Sequence, residues 1–115
     1  MKVNLVAGKK EYLKSLDKAG LERLRIKLTI EKGKIVNLVF QYESFIQNHW
    51  HEIVRYDMAH GFFHRDFIFP KGEKEKTRIE ITDLKSAATY AEQDIKDKWE
   101  FYKLKYIKER KRKKK

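Results

Sequence analysis

The chain of 115 residues contains no cysteine and only one proline. The absence of cysteine excludes disulfide bonds and thiolate metal sites formed by this chain. No apolar run approaches the length of a membrane span. The apolar stretch near the start of the chain is too short for a signal peptide, so we expect a cytoplasmic protein with no membrane contact.

Acidic residues are scarce relative to basic ones. There are 17 acidic and 28 basic residues, which gives a net charge of +11. The excess is concentrated in residues 96–115, which hold eleven basic and three acidic residues. Such a block is typical of a polyanion partner or of a solvated tail.

The composition otherwise suits one folded domain. Apolar residues make up 41% and aromatic residues 13% of the chain, enough to build a single core at this length. Charged residues reach 39%, and this high lysine and glutamate content is a feature of thermophile proteins.

The order of elements predicts an α+β fold, with a four- or five-stranded antiparallel meander, a short N-terminal helix and a long C-terminal helix packed on one face. Apolar residues at helical spacing, closed by Gly20, predict the first helix over residues 9–20. Alternating apolar residues and intervening turns predict the strands. The predicted strands cover residues 23–31, 35–43, 49–57 and 62–69, with a short fifth at 77–81.

A long helix should follow, with Thr82 or Asp83 as its N-cap. Apolar residues from Leu84 to Tyr106 recur at helical steps and should pack across the sheet. The helix should end near Arg110. We therefore expect one domain over residues 1–110 and a disordered basic tail over residues 111–115.

Residues 55–67 read RYDMAHGFFHRDF and gather ionisable groups around one glycine. With a four-residue turn at residues 58–61, Asp57 would pair with Phe62, Arg55 with His64, and Ile53 with Asp66. Because side chains alternate along a strand, one face would carry Arg55, Asp57, His64 and Asp66. The opposite face would carry Tyr56, Phe63 and Arg65. Gly61 is expected to supply a positive φ.

Such a cluster suits metal-independent cleavage of RNA. His60 and His64 are the candidate acid and base, since imidazoles exchange protons near neutral pH. Arg55 or Arg65 would clamp the phosphate through parallel hydrogen bonds. The carboxylates of Asp57 and Asp66 would orient the imidazoles.

Two other interpretations of the cluster stay open. The same histidines and aspartates are acceptable ligands for zinc or manganese, although their spacing matches no standard motif; we predict neither a metal nor another cofactor. In the second interpretation the cluster is structural, with Asp57 capping the turn and Arg55 paired with Asp66. His49 and His51, beside Trp50, are expected to be ordinary surface residues.

The pattern Tyr-Asp-x-Ala-His-Gly-x-x-His-x-Asp at residues 56–66 resembles that of a family of small archaeal and bacterial proteins of unknown function. That family is similar in turn to the TumE-type toxins of toxin–antitoxin pairs, which share the order of a β-meander and a C-terminal helix. The resemblance implies a toxin-like protein that acts on RNA and has an antitoxin-like protein partner. The positions carried over are Asp57, His60, Gly61 and His64.

The basic C-terminal segment provides a second route to nucleic acid, because lysine and arginine release counterions from phosphates on binding. Tyr102 and Tyr106 lie among these cations and could stack on bases, although they also continue the apolar stripe of the helix. We therefore predict a nucleic-acid-binding protein, with RNA favoured, that is either an endoribonuclease or a non-catalytic binder from a mobile element. A protein-interaction module or a homodimer is the remaining alternative. The predicted nucleic-acid contacts are Arg65, Lys103, Lys105, Lys108, Arg110, Lys111, Arg112 and Lys113.

Overall fold

The computed structural model describes residues 7–112, apart from the side chains of Ala7 and His60. Six antiparallel strands lie side by side in chain order, and one long helix packs on one face of the sheet. The elements are β1 Ala7–Ser15, β2 Glu22–Glu31, β3 Lys34–Ile46, β4 His49–Asp57, β5 His64–Ile68, β6 Lys74–Arg78 and α1 Leu84–Arg112. The predicted α+β class and antiparallel meander are confirmed, but the sheet has six strands rather than four or five.

The face of the sheet under α1 is built by alternating apolar residues. Leu24 and Ile26 of β2 stand opposite Tyr42 and Phe40 of β3, and Tyr56 of β4 stands beyond Phe40. All five side chains are buried. Burial of apolar area on this scale is the main force that holds the sheet against the helix.

Two tight turns set the register of the central strands. Lys32 and Gly33 join β2 to β3 with φ of 53° and 78°, and Gln47 and Asn48 join β3 to β4 with φ of 51° and 69°. Two consecutive residues with positive φ form the type of hairpin turn whose twist matches that of the strands. Glycine and asparagine adopt this conformation at low cost.

The predicted N-terminal helix over residues 9–20 is wrong. Residues 7–15 form β1 instead, in a nine-residue antiparallel pairing with β2. Tyr12 and Leu13 are exposed, so the apolar spacing that indicated a helix does not mark a buried face. Pairing with β2 satisfies the backbone groups of both strands, and this non-local gain outweighs the weak local helix preference.

Gly20 ends a turn and not a helix. Its φ is +78°, and its amide donates to Asp17 Oδ1 over 3.0 Å. The amides of Leu21 and Glu22 donate to the same oxygen over 3.1 and 3.2 Å. One aspartate thus replaces the backbone partners that a helix would have supplied.

The last two strands differ from the prediction in their bounds. β5 is shorter than the predicted residues 62–69, and β6 begins three residues before the predicted residues 77–81. β6 has the sequence KEKTR and lies at the edge of the sheet. Charged side chains are typical of an edge strand, which does not need alternating apolar residues. The alternation of apolar residues therefore could not locate β6.

The long helix begins as predicted. Asp83 is the N-cap, since its Oδ2 accepts a hydrogen bond from the Ser86 amide over 2.9 Å. The helix has 29 residues, a length of about 43 Å, and reaches Arg112, slightly beyond the predicted end. Within residues 7–112, no helix combines the length and apolar character that crossing a membrane requires.

A buried carboxylate attaches α1 to the sheet. Asp94 Oδ2 accepts hydrogen bonds from the hydroxyl of Tyr56 in β4, over 2.6 Å, and from the hydroxyl of Tyr102 in the helix. Burial, followed by the hydrogen bond to Asp94, raises the pKa of both tyrosines far above the usual range. Both hydroxyls therefore stay protonated and donate at all ordinary pH values.

A second buried pair repeats this arrangement further along the helix. The Tyr42 hydroxyl donates to Glu22 Oε1 over 2.6 Å, and Lys103 of α1 donates to Glu22 Oε2. Trp99 packs edge-on against the Tyr42 ring at 6.2 Å. The helix is thus attached to β2 and β4 by polar contacts and to β3 by the packing of Trp99 on Tyr42.

We expect Asp94→Ala to lower the free energy of unfolding by about 2–4 kcal/mol, because two buried hydroxyls lose their acceptor. Asp97→Ala is the matched control, since Asp97 is exposed on the same helix and gains the same helix propensity. The control should stay within about 0.5 kcal/mol of the wild type. Urea unfolding followed by circular dichroism measures both, and equal values for the two variants would refute the role assigned to Asp94.

Candidate functional site

The turn between β4 and β5 is longer than expected. Residues 58–63 connect the strands, and Ala59–Gly61 form one turn of 3₁₀ helix. Asp57 Oδ1 accepts a hydrogen bond from the Ala59 amide over 2.9 Å. Gly61 has φ of +83°, as the sequence predicted.

The strand register differs from the prediction by two residues. Asp57 pairs with His64 and Arg55 pairs with Asp66, where Phe62 and His64 were expected. The six-residue connection accounts for the shift. Because side chains alternate with a period of two, the shift leaves the predicted faces intact.

The predicted polar face therefore exists, on the side of the sheet opposite α1. His64 Nε2 lies 3.0 Å from Asp57 Oδ1 and 3.5 Å from Asp66 Oδ2. Arg55 Nε donates to Asp57 Oδ2 over 2.8 Å, and Lys76 Nζ donates to Asp66 Oδ1 over 3.0 Å. We call this alternating row of five side chains the charge ladder.

The centre of the charge ladder is closed to solvent. The His64 side chain is 1% exposed. Its Nδ1 lies 3.2 Å from the Phe62 carbonyl, to which only an N–H can donate, and the Phe62 ring is tilted against it at 5.3 Å. The ring therefore has a protein partner at each of its two nitrogens.

The electrostatics of Asp57 agree with this arrangement. Burial is the largest single effect and by itself raises the pKa of the carboxyl. The Ala59 amide, the Arg55 guanidinium and His64 together overcome it and hold the pKa below its ordinary value. Asp57 is thus ionised at neutral pH, and it anchors both the turn and the ladder.

The structure brings together four of the five predicted catalytic residues: Arg55, Asp57, His64 and Asp66. In this arrangement their functional atoms point at one another. The side chain of the fifth, His60, lies outside the described part of the structure. Among the side chains that the structure describes, which do not include that of His60, no group of three or more metal-ligating residues is placed to hold a metal ion.

A second polar cluster lies on the same face of the sheet. The buried Glu43 accepts hydrogen bonds from Arg23 over 2.6 Å, from Arg25 over 3.0 Å and from Gln41. Burial raises the pKa of Glu43, but the donors from Arg25, Arg23 and Gln41 together bring it below the ordinary value. Gln41 also accepts from Arg55 over 3.3 Å, so the two clusters are joined.

Arg65, the alternative phosphate clamp, lies on the other face of the sheet. Its guanidinium lies 3.5 Å from the Tyr102 hydroxyl and 3.4 Å from Thr77 Oγ1. It therefore packs between the sheet and α1, as its predicted face implies. From this position it does not reach the charge ladder.

The remaining predicted nucleic-acid contacts line the C-terminal half of α1. Lys103 pairs with Glu22 and Lys105 with Glu75 on opposite sides of the helix. Lys108 and Lys111 have no ion-pair partner among residues 7–112, and Arg110 donates to the neutral Gln47. Arg112 pairs with Glu109 over 3.2 Å, while Lys113 lies outside the described residues.

The aromatic residues on this helix segment differ from the prediction in which of them are exposed. Tyr102 and Tyr106 are only 5% and 4% exposed, so they belong to the core and do not stack on a ligand. Phe101 and Leu104 are 62% and 65% exposed on the outer side. Neither residue was predicted to be functional; their signal in the sequence is that they lie out of phase with the apolar stripe that ends in Tyr102 and Tyr106.

The fold and its surfaces define a small α+β protein: a six-stranded meander with a ladder of paired charges on one face and a basic helix on the other. The chain belongs to the family described as Domain of unknown function (DUF7718), whose model matches residues 7–112. No curated protein and no solved structure shows a significant match to this chain. A domain of unknown function is thus shown, whereas no comparison links the chain to the motif at residues 56–66 or to TumE-type toxins, and both resemblances stay predictions.

We expect His64→Ala to lower the free energy of unfolding by about 2–4 kcal/mol, because two nearly buried carboxylates would lose the imidazole between them and a cavity would replace the ring. His49→Ala is the control, since His49 is exposed, and it should change the value by less than about 0.5 kcal/mol. Urea unfolding near neutral pH measures both. A His64→Ala variant as stable as the control would contradict the structural role of the ladder.

The stability of the protein should fall in acid partly through Glu43. Its folded pKa is lowered below 4.5, so its contribution is complete above that value and is lost as the pH falls through the folded pKa. In Glu43→Gln, the drop in unfolding free energy between about pH 6 and about pH 3 should be smaller than in the wild type. The exposed Glu31→Gln is the control, and an unchanged drop in Glu43→Gln would refute the assignment.

Proposed function

We propose that the protein binds single-stranded nucleic acid, RNA in preference, through the C-terminal half of α1. One observation carries the proposal. Residues 103–112 contain six basic residues and one acidic residue, and they end on the part of the helix that lies against the turns at the end of the sheet. Phosphates that bind such a row release counterions, which favours association independently of sequence.

The distribution of ion pairs supports this choice of surface. On the face of the sheet opposite α1, each arginine contacts a carboxylate, as Arg25 does with Glu43 and Arg55 with Asp57. On the last turns of α1, Lys108 and Lys111 lack such partners among residues 7–112, and the pair of Arg112 with Glu109 leaves the arginine side chain 75% exposed. Cations without protein counter-charges are the ones available to phosphates.

An exposed apolar strip beside these cations favours unpaired bases. Phe101 and Leu104 line a shallow groove together with Lys105, Lys108 and Arg112. Base stacking on an exposed aromatic ring tolerates any sequence but requires a base that is not stacked in a duplex. RNA is favoured over DNA because protein recognition of RNA is directed mainly at single-stranded segments.

Binding without cleavage is the form of the proposal that the geometry favours. RNA cleavage by the charge ladder would need His64 to exchange a proton with the ribose, but its ring is closed to solvent and faces Asp57 and Asp66. The endoribonuclease and toxin-like activities implied by the resemblance therefore have weaker support than binding.

If nucleic acid binds to the C-terminal half of α1, neutralising cations there should weaken binding more than neutralising cations elsewhere. Lys108→Gln combined with Arg112→Gln should reduce affinity for a labelled single-stranded RNA about tenfold or more, and should lower the slope of log affinity against log salt by about 1.4. Lys9→Gln combined with Lys34→Gln removes the same charge from exposed positions on β1 and β3 and should change both values much less. Fluorescence anisotropy at several salt concentrations measures these values.

The same measurement separates the alternatives. Equal losses in the two double variants would mean that only net charge matters, and the assigned surface would be wrong. Phe101→Ala should weaken RNA binding, with the exposed Leu13→Ala as control; if it instead changes only the sedimentation of the protein, the strip is a protein contact. The RNA should remain full length with and without EDTA, and cleavage that disappears in His64→Ala would support the enzyme.

A further inference from the structure

A concave site lies where the end of the sheet meets the last turns of α1. It has a volume of about 650 Å³ and is enclosed by the β3–β4 turn, the β5–β6 turn and the helix. Its lining includes His51, Lys71, Tyr106, Arg110 and Lys111. We call it the end pocket, and it adjoins the cations assigned above to nucleic-acid binding.

The end pocket is strongly positive. Lys71, Arg110 and Lys111 line it, and no carboxylate does so among the described residues. The helix C-terminus contributes a partial negative charge of about one half, which three full cations outweigh. An anionic group is therefore the ligand that this site favours.

Arg110 differs from the arginines on the surface of the sheet. Arg23, Arg25, Arg55 and Arg78 each contact a carboxylate. The described partners of Arg110 are uncharged: its guanidinium donates to the side chain of Gln47 and interacts with the Tyr106 hydroxyl. A guanidinium has five N–H donors in a planar fork, so Arg110 keeps both charge and donors for a phosphate.

One wall of the end pocket is rigid and aromatic. His51 Nε2 lies 3.1 Å from the Ile46 carbonyl, to which it donates, and His51 Nδ1 accepts from the Tyr106 hydroxyl over 3.3 Å. The two rings lie 6.0 Å apart, and Ile46 and Ile107 add apolar surface beside them. Cations next to such a wall match a phosphate joined to a sugar and a base.

We propose that the end pocket holds the phosphorylated end of the nucleic-acid strand that α1 binds, an inference that rests on the proposed function. A terminal phosphomonoester carries about −1.5 to −2 charges near neutral pH, more than the single charge of an internal phosphodiester. Three convergent cations therefore discriminate in favour of a strand end. The pocket lies at one end of the basic row, so a strand can start there and continue along the helix past Lys108 and Arg112.

The test compares single-stranded RNA oligonucleotides of one sequence with a 5′-phosphate, a 3′-phosphate or hydroxyls at both ends. We expect one phosphorylated form to bind about tenfold more tightly than the hydroxyl form, because it adds charge-assisted hydrogen bonds. Arg110→Gln and Lys71→Gln should each bring that ratio close to one. The double variant Lys108→Gln, Arg112→Gln should weaken all three oligonucleotides and leave the ratio unchanged.

Each result decides a different claim. Equal affinity for all three ends in the wild type would overturn the end pocket while leaving nucleic-acid binding intact. A preference that survives both Arg110→Gln and Lys71→Gln would also overturn it, because the phosphate would then be bound elsewhere. Binding of none of the oligonucleotides would overturn the proposed function and this inference together.

Discussion

The contact of Asp94 with the hydroxyls of Tyr56 and Tyr102 determines how the rest of the molecule is arranged. One carboxylate joins the middle of the sheet to two turns of α1, and so it fixes the rotation of the helix about its own axis. Once that rotation is fixed, Tyr106 faces His51 while Phe101 and Leu104 face outward. The exposed strip and the position of the cations beside it are therefore consequences of a buried contact some distance away.

The face of the sheet opposite α1 and the C-terminal half of α1 differ in how their charged side chains are paired. On the face of the sheet opposite α1, acidic and basic side chains alternate across the strands and pair with one another, as Arg23 does with Glu43 and Lys76 with Asp66. Their partial burial makes the pairing necessary, since an unpaired charge there would be costly. Along residues 103–112, by contrast, six basic residues stand with one acidic residue, so much of the excess positive charge of the chain lies there.

The parts of the fold that were predictable are those governed by local alternation. The bounds of β4 and the N-cap at Asp83 follow from patterns within a few residues, and so do the side-chain faces of Asp57 and His64. The strand β1 was not predictable in this way, because only its pairing with β2 stabilises it over a helix. The register of β4 with β5 was missed for a related reason: it depends on whether the turn holds four residues or six.

The candidate site shows the same boundary between local and non-local information. Residue types and spacing placed His64 between two aspartates, and that grouping is correct. Whether a histidine between two aspartates is catalytic or structural depends on its access to solvent. For His64 that access is limited by Phe62 and by neighbours from other strands. A histidine with acidic neighbours is a catalytic candidate only while one ring nitrogen remains accessible. The His64 side chain is 1% exposed, so its contacts with Asp57 and Asp66 support a structural role for the charge ladder.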